Sequence, residues 1–327
     1  MENDKALRFI VANYGSRHSG MLLAHLESVA LSHPAARVAV YWQDMPARLI
    51  GAIRTAFPSV DFVETTFDFA GDPLQRISSK VLCWARAAED FSKERDLVFA
   101  DGDTLIRRDL AVFFDDAADV VFSTKPENVP LNSGVVLTRG HGAASFMRAW
   151  REATMHILRT PDLFAQANDQ SQPYGGTDQM SLHQLLGYER GRDRYTVTCE
   201  GREIRLRAEP CARLNETNSR PLTDEIHVVH YKAGWQQILL NGRPFSKWRP
   251  RVESWDMLTL FLETFAAALQ RTNTVCGENF TAHDFGIRWP WYWHEGKFSA
   301  PAYAVWRVKA AAERAWLFLT GQLKHGR

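Results

Sequence analysis

The stretch Leu97-Val-Phe-Ala-Asp-Gly-Asp103 decides the fold prediction, because four apolar residues run directly into two carboxylates. A short apolar run bounded by a turn is typical of a buried strand. In open sheets built from parallel strands, ligands lie beyond the carboxyl ends of the strands. Asp101 and Asp103 are therefore predicted to lie at a ligand-binding edge of such a sheet.

The segments before this stretch alternate between strand and helix patterns. They comprise strand patterns over 7–12, 38–42 and 60–63 and helix patterns over 20–31, 46–57 and 74–91. Alternation of this kind implies parallel pairing with helices on both faces of the sheet. The pattern continues with strands predicted at 120–122, 135–138 and 226–230 and helices at 143–158 and 177–186. The sequence therefore predicts an α/β fold with a mainly parallel sheet.

The character of the chain changes near residue 250. A helix is predicted over 257–269, followed by the aromatic run Trp289-Pro-Trp-Tyr-Trp293 and an amphipathic helix over 304–323. Amphipathic helices usually pack on a core, although such a helix can also lie on a membrane surface or bind a partner. We expect an α/β domain over 1–250 and a helical, aromatic-rich extension over 251–327 that packs on it.

The bulk composition excludes several classes of protein. The chain has 327 residues and a formal net charge of +1, which gives no electrostatic reason to expect a nucleic-acid partner. Residues 1–8 are polar and charged, unlike a signal peptide, and no apolar run approaches the length of a membrane span. We therefore expect a cytoplasmic protein, with contact at the inner face of the membrane through 304–323 as an alternative.

The interpretation of the cysteines and glycosylation sequons depends on the expected cytoplasmic location. Cys83, Cys199, Cys211 and Cys276 show no close metal-ligand spacing. They are predicted to be free thiols, with a Cys199–Cys211 disulfide as the weaker alternative. The sequons at Asn215 and Asn279 carry no meaning in a reducing compartment.

Asp101-Gly102-Asp103 is the single Asp-x-Asp triplet in the sequence. Two carboxylates suit a hard divalent cation, Mg²⁺ or Mn²⁺, and Gly102 lacks a side chain that would crowd an approaching diphosphate. A tight Asp-Gly turn between two strands is the alternative. The phosphatases of the haloacid-dehalogenase type also use Asp-x-Asp, but Leu105 stands where their motif has Thr or Val.

Five segments in order resemble the GT-A glycosyltransferases, most closely the retaining transferases of glycosyltransferase family eight, over roughly Phe9 to Trp248. They are Val11-Ala-Asn-Tyr14, Leu97 to Leu110, Leu131-Asn-Ser-Gly-Val-Val136, Gly176-Thr-Asp-Gln179, and Val228-Val-His-Tyr231 with Gly234. The resemblance implies a metal-dependent transfer of a sugar from a nucleotide-diphosphate donor to an acceptor hydroxyl, with retention of configuration.

The resemblance also implies roles on the donor side. Tyr14 would stack on the base and Asn13 would contact the nucleoside, but two residues of the first-strand motif are missing, one of them an Asp, so uridine is a guess. Asn132 would face the hydroxyls of the sugar, and Gly134 would permit its close approach. Gly234 would lie at the diphosphate.

On the reacting side, the resemblance places Asp178 and Gln179 beside the reacting carbon and makes His230 the third metal ligand. Helix capping is the alternative for Asp178. His227 is the rival for His230, but strand alternation would point it elsewhere. The Lys-Pro-Trp that normally follows Gly234 is absent, and Lys247-Trp248 comes later. The cation at the diphosphate is therefore not located, and Lys80 and Arg76 are candidates.

Three alternatives to a retaining transferase stay open. Tyr14-Gly-Ser-Arg17 weakly resembles the phosphate loop of a sugar nucleotidyltransferase. A catalytically silent binding protein could keep the fold and use its aromatic C-terminal region to engage a partner. An inverting enzyme would use Asp178 as its base. The acceptor, whether glycan, lipid-linked or protein, is not specified by any motif.

Overall fold

The computed structural model describes residues 7–66, 72–91, 96–115, 117–217, 222–232, 234–241 and 255–288, two short strands (Trp293–His294 and Lys297–Phe298), and positions 308 and 312. Lys247-Trp248, most of the aromatic run 289–293 and most of the amphipathic segment 304–323 lie outside the described residues. The predicted membrane contact lies outside them as well.

The first part of the chain alternates strand and helix as the sequence predicts. The elements are β1 (Arg8–Tyr14), α1 (Ser19–Ser32), β2 (Arg37–Gln43), α2 (Ala47–Ala56), β3 (Val60–Glu64), α3 (Pro73–Phe91) and β4 (Leu97–Asp101). Each apolar run supplies the buried strand, and each helical stripe supplies a face that covers the sheet.

The second part is more mixed. After the short strand β5 (Thr104–Ile106) come β6 (Val120–Thr124), β7 (Leu131–Thr138), α4 (Gly140–Arg159), α5 (Pro161–Asn168), α6 (Thr177–Leu186), β8 (Arg194–Cys199), β9 (Arg202–Pro210), α7 (Cys211–Leu214), β10 (Val228–His230), α8 (Gly234–Asn241) and α9 (Trp255–Cys276).

Eight strands form one mixed sheet in the order β3-β2-β1-β4-β7-β6-β9-β8. The strands β3, β2, β1 and β4 are mutually parallel, β7 runs antiparallel to β4 and β6, and β8 antiparallel to β9. The chain leaves β1 toward β2 and later returns to β4 on the other side, so the strand order reverses between β1 and β4. A ligand crevice is expected at that point. Ala12 of β1 pairs with Asp101 there.

Two apolar layers cover the sheet. One contains buried residues of α1, α2 and α9, and the other contains buried residues of α3, α4 and α6. In the second layer the rings of Trp84 and Trp150 pack with centroids 6.1 Å apart, and both side chains are fully buried. Burial of this apolar area is the main force that holds the helices on the sheet.

Helix α9 shares the first apolar layer. Phe261, Leu262 and Phe265 are buried in the same cluster as the core residues of α1. The following segment also packs closely, since the Gly20 amide donates to the Phe285 carbonyl at 2.8 Å. A Cβ at Gly20 would lie 2.3 Å from Ile287 Cγ1, which explains the glycine. The described part of the extension is thus continuous with the core, and the boundary at 250 stays a prediction.

A two-stranded ribbon brings the late chain to the edge of the sheet. β10 pairs antiparallel with β5, which places His230 opposite Thr104. The Tyr231 amide then donates to the Asp103 carbonyl at 2.8 Å. Because β5 begins directly after Asp103, this register fixes where the imidazole lies.

Among the described helices, none is both long and apolar enough to cross a bilayer. The four cysteines are free thiols, so the alternative disulfide between Cys199 and Cys211 is not formed.

Candidate active site

Three predicted metal ligands converge at the carboxyl edge of the sheet. Asp101 ends β4, Asp103 lies in the turn that follows, and His230 ends β10. One ligand atom from each lies within 4.8 Å of the others. The Nε2 atom of His230 is 3.0 Å from Asp103 Oδ1 and 3.6 Å from Asp101 Oδ2.

The charges at this cluster favour a cation. Burial lowers the pKa of His230, although the nearby Asp103 favours the protonated ring. Burial would raise the pKa of Asp103, but His230, Lys232 and a hydrogen bond from Gln236 together hold it below its usual range. Two carboxylate oxygens and an imidazole nitrogen face one another, an arrangement that a divalent cation would stabilise. This mixed N/O set fits Mn²⁺ or Mg²⁺, with the imidazole favouring Mn²⁺.

Lys80 joins two of the acidic side chains. Its Nζ lies 2.8 and 2.9 Å from the two carboxylate oxygens of Asp101 and 3.3 Å from Asp178 Oδ2. Burial would lower the pKa of Lys80, but these two carboxylates outweigh it and raise the pKa. The ammonium group therefore stays charged and bridges Asp101 to Asp178.

Asp178 faces this cluster. Its Oδ2 accepts a hydrogen bond from Ser133 Oγ at 2.5 Å and lies beside Lys80. Burial would raise its pKa, but Lys80, Ser133 and Lys232 lower it, so the carboxylate is ionised. The contacts across to β7 and α3 give Asp178 surroundings that capping of α6 would not require.

Lys232 is a site residue that the sequence analysis missed. Its Nζ donates to Asn132 Oδ1 at 2.9 Å. Burial is the largest effect on its pKa, which is lowered although Asp101 and Asp103 favour the charged form. Its position could have been inferred from His230. Residues two apart on an extended chain share a face, and Lys232 follows His230 by two.

Asn132 and Gly134 contact the protein itself. Asn132 is 1% exposed, and its Oδ1 accepts from Lys232 and from the Gly134 amide at 3.1 Å. A Cβ at Gly134 would lie 2.2 Å from His230 Cε1. Gly134 thus makes room for the imidazole, while the predicted contacts of both residues with the sugar stay predictions.

Other predicted residues lie around the crevice with local partners. The amide groups of Asn13 and Gln179 donate to the carbonyls of Gly15 and Gly175 at 3.1 and 3.2 Å. Gln179 has no described contact with the carboxylates, so the structure does not bring it into the cluster.

The two predicted nucleotide-side glycines and the aromatic residue are placed as follows. Tyr14 ends β1, and the Arg76 guanidinium lies 4.3 Å from its ring centre. Gly234 begins α8. At Gly102 an added Cβ would meet only Val11 Cγ1, at 3.4 Å, so the protein itself leaves room for a side chain there. The role of Gly102 is therefore not packing within the described residues.

His227, the rival of His230, lies elsewhere. Its Nδ1 is 2.9 Å from the Asp109 carbonyl oxygen, and its ring packs edge-on against Phe113. Alternation along the strand gives this result.

Two further residues lie within hydrogen-bond distance of the side chains of the predicted metal ligands. Gln236 donates to Asp103 Oδ2 at 2.6 Å, and Asn215 Oδ1 lies 3.0 Å from His230 Nδ1. Neither stands in a motif that the sequence analysis used.

The fold has similar solved structures. The apo form of the glycosyltransferase GlyE from Streptococcus pneumoniae TIGR4 matches with a TM-score of 0.50 and 13% identity, covering 83% of this chain and 64% of that chain. A second GlyE structure matches with a TM-score of 0.49 and 14% identity, covering 82% of this chain and 63% of that chain. The galactosyltransferase LgtC, in complex with donor and acceptor sugar analogs, matches with a TM-score of 0.47 and 14% identity, covering 84% of this chain and 97% of that chain.

This chain spans less than two thirds of the length of the GlyE structures. No family model matches the chain, and no curated protein matches it by sequence. The strand order, its reversal between β1 and β4 beside Asp101, and the likeness to apo GlyE agree in architecture. The chain therefore has the GT-A fold, a mixed and mainly parallel sheet flanked by helices.

Proposed function

We propose that the protein is a metal-dependent glycosyltransferase that moves a sugar from a nucleotide-diphosphate sugar to an acceptor hydroxyl. The observation that carries this proposal is the convergence of ligand atoms of Asp101, Asp103 and His230 within 4.8 Å of one another. A uridine base, a hexose and retention of configuration belong to the proposal through the resemblance in sequence. The acceptor hydroxyl would belong to a glycan, a lipid-linked sugar or a protein.

Asp101, Asp103 and His230 would hold Mn²⁺ or Mg²⁺. When bound, such a cation supplies Lewis-acid stabilisation of the charge on the departing diphosphate. The site groups themselves, buried for Asp178 and partly buried for the others, comprise three carboxylates (Asp101, Asp103 and Asp178) and two ammonium groups (Lys80 and Lys232). These five groups therefore carry one excess negative charge. Because this charge would repel a diphosphate, a cation should bind before or together with the donor.

Each remaining group has a role that its position supports. Among the described residues, no carboxylate lies at ion-pair distance from Lys232, whose Nζ donates to Asn132, so Lys232 would contact the diphosphate in place of the lysine missing after Gly234. Lys80 would hold Asp101 and Asp178 in place. The ionised Asp178 would stabilise positive charge that develops on the sugar, since charges aimed at the transition state are commonly the largest catalytic effect. The acceptor hydroxyl can pass its proton to the departing phosphate.

Donor binding and hydrolysis test this function. Nucleotide sugars are screened with and without Mn²⁺ by thermal shift, because a ligand of the native state raises the apparent stability by mass action. Hydrolysis of the best donor is then measured, with the anomeric configuration of the transfer product read by NMR. Pyrophosphate release from a nucleoside triphosphate and a sugar phosphate would instead favour a nucleotidyltransferase.

The decisive variant is Asp101→Asn. It should lower turnover by roughly 10²–10³-fold, the range seen when one transition-state contact is removed, while the fold stays intact. Asp162→Asn, on the exposed first turn of α5, is the matched control and should behave as wild type. Near-normal turnover in Asp101→Asn, with metal still required, would remove Asp101 from the site.

A further inference from the structure

Asn215 lies directly behind the imidazole of His230. It follows α7, and its side chain is completely buried. Its Oδ1 is 3.0 Å from His230 Nδ1, and its Nδ2 is 3.3 Å from Ser123 Oγ. A buried amide with both ends engaged has a fixed orientation, so its hydrogen bonds determine the proton on its neighbour.

The direction of these hydrogen bonds follows from Ser123. Its hydroxyl donates to the Asn132 carbonyl oxygen at 3.0 Å, an atom that can only accept. The Ser123 oxygen is then left to accept, so the group that faces it from Asn215 is the amide N–H. The carbonyl end of Asn215 consequently faces the imidazole and accepts from His230 Nδ1. Nδ1 of His230 therefore carries a proton.

The backbone holds the ring in the same pose. The His230 amide donates to the Glu216 carbonyl at 2.8 Å, next to Asn215 in the chain. On the other side the ring packs against Gly134, where a Cβ would lie 2.4 Å from Nδ1. With Nδ1 bonded to Asn215, Nε2 faces Asp103 Oδ1 at 3.0 Å and Asp101 Oδ2 at 3.6 Å, where a cation could take its lone pair.

We propose that Asn215 is a positioning residue, which holds His230 in the Nδ1–H tautomer so that Nε2 is presented to a cation held with Asp101 and Asp103. This inference rests on the proposed function, because it assigns Asn215 as the hydrogen-bond partner of His230, which is a ligand of the proposed metal. A histidine ligand commonly donates its other N–H to a carbonyl or carboxylate, which fixes the ring and its tautomer. The same burial means that Asn215, although part of a sequon, is not accessible to glycosylation in the folded chain.

The first measurement is made on metal-free protein. NMR of ¹⁵N-histidine-labelled protein reports which ring nitrogen carries the proton, with His230 identified by its loss in His230→Gln. We expect a protonated Nδ1 in wild type and in Asn215→Asp, which keeps an acceptor. Asn215→Leu, of similar size but without an acceptor, should populate the Nε2–H form. A wild-type ring that lacks a proton on Nδ1 overturns the inference, whatever the metal does.

The second measurement is the affinity for Mn²⁺ alone, by calorimetry. Asn215→Leu should bind Mn²⁺ roughly 10–100-fold more weakly, the cost seen when such an outer partner is lost. Asn215→Asp should restore roughly wild-type affinity, which a purely structural role for Asn215 would not explain. If Asp101→Asn abolishes binding while Asn215→Leu binds as wild type, this inference fails and the proposed function stands. If wild type binds no Mn²⁺, the proposed function fails, and the tautomer measurement still decides the role of Asn215.

Discussion

Single side chains at this site are constrained mainly by charge. Asp101 and Asp178 share Lys80, whereas Lys232 has a neutral partner in Asn132. Lys80 is therefore already neutralised, and Lys232 is the ammonium group that remains to meet a phosphate. A charge that is partly buried and has no opposite charge at ion-pair distance costs free energy, so its retention needs a reason. Contact with an anionic donor would provide one.

Replacement of Lys232 tests this assignment. Lys232→Met keeps the length of the side chain and removes the charge, so donor turnover should fall roughly 10²–10³-fold, as for loss of other preorganised charges at a reacting group. The Mn²⁺ affinity should not fall, because a positive charge near the cation is removed. Steady-state kinetics and calorimetry give the two quantities.

Lys125→Met serves as the control, since its lysine is partly exposed on the loop after β6. Equal losses in both variants, or a loss of Mn²⁺ binding in Lys232→Met, would contradict the assignment of Lys232 to the diphosphate.

At the scale of elements, local patterns predicted most of the fold. Helix α6 was predicted over 177–186, and the structure gives the same bounds. The hairpin of β8 and β9 was missed, although Tyr195, Val197 and Cys199 alternate with exposed residues in the manner of a half-buried strand. Its arginines and threonines resemble a polar loop, and the strand face is buried only by packing in the apolar layer that contains residues of α3, α4 and α6.

The candidate site was predictable as far as short motifs reach. The Asp-x-Asp triplet and His230 were predicted to converge, and the structure brings them together. Asn215 and Gln236 were not predictable, because their partners lie 15 and 133 residues away in the chain. The register of β10 on β5 sets these contacts, and no local pattern encodes that register.

Two glycines on neighbouring elements are expected to respond in opposite ways. Gly134→Ala places a Cβ 2.2 Å from His230 Cε1, so the ring must move away and Mn²⁺ binding should weaken by at least roughly tenfold. Gly102→Ala meets only Val11 Cγ1 at 3.4 Å, so Mn²⁺ binding should stay near wild type.

Calorimetric titration with Mn²⁺ and then with donor distinguishes the two positions. If Gly102 serves the approach of the diphosphate, Gly102→Ala loses donor affinity alone. Unchanged Mn²⁺ affinity in Gly134→Ala would show that β7 does not hold the imidazole.

For the whole molecule, the question is whether the region after residue 250 is a separate unit. Phe265 of α9 is fully buried, stacks on Phe261 with ring centres 6.2 Å apart, and meets the edge of Phe285 at 6.5 Å. These rings belong to the apolar layer that also covers β1 and β2. A shared core couples the unfolding of its parts, so we propose that the extension and the α/β domain unfold together.

Phe265→Ala tests that coupling. Removing a fully buried phenyl ring should lower the free energy of unfolding by about 3–5 kcal/mol, while Val275→Ala on an exposed position of the same helix should cost little. Scanning calorimetry of the metal-free chain should show one transition that moves to lower temperature as a whole in Phe265→Ala. Two transitions, of which only one moves, would mean that the C-terminal region folds independently. In that case the donor crevice would keep its stability in Phe265→Ala, and the shift on adding Mn²⁺ and donor would match that of wild type.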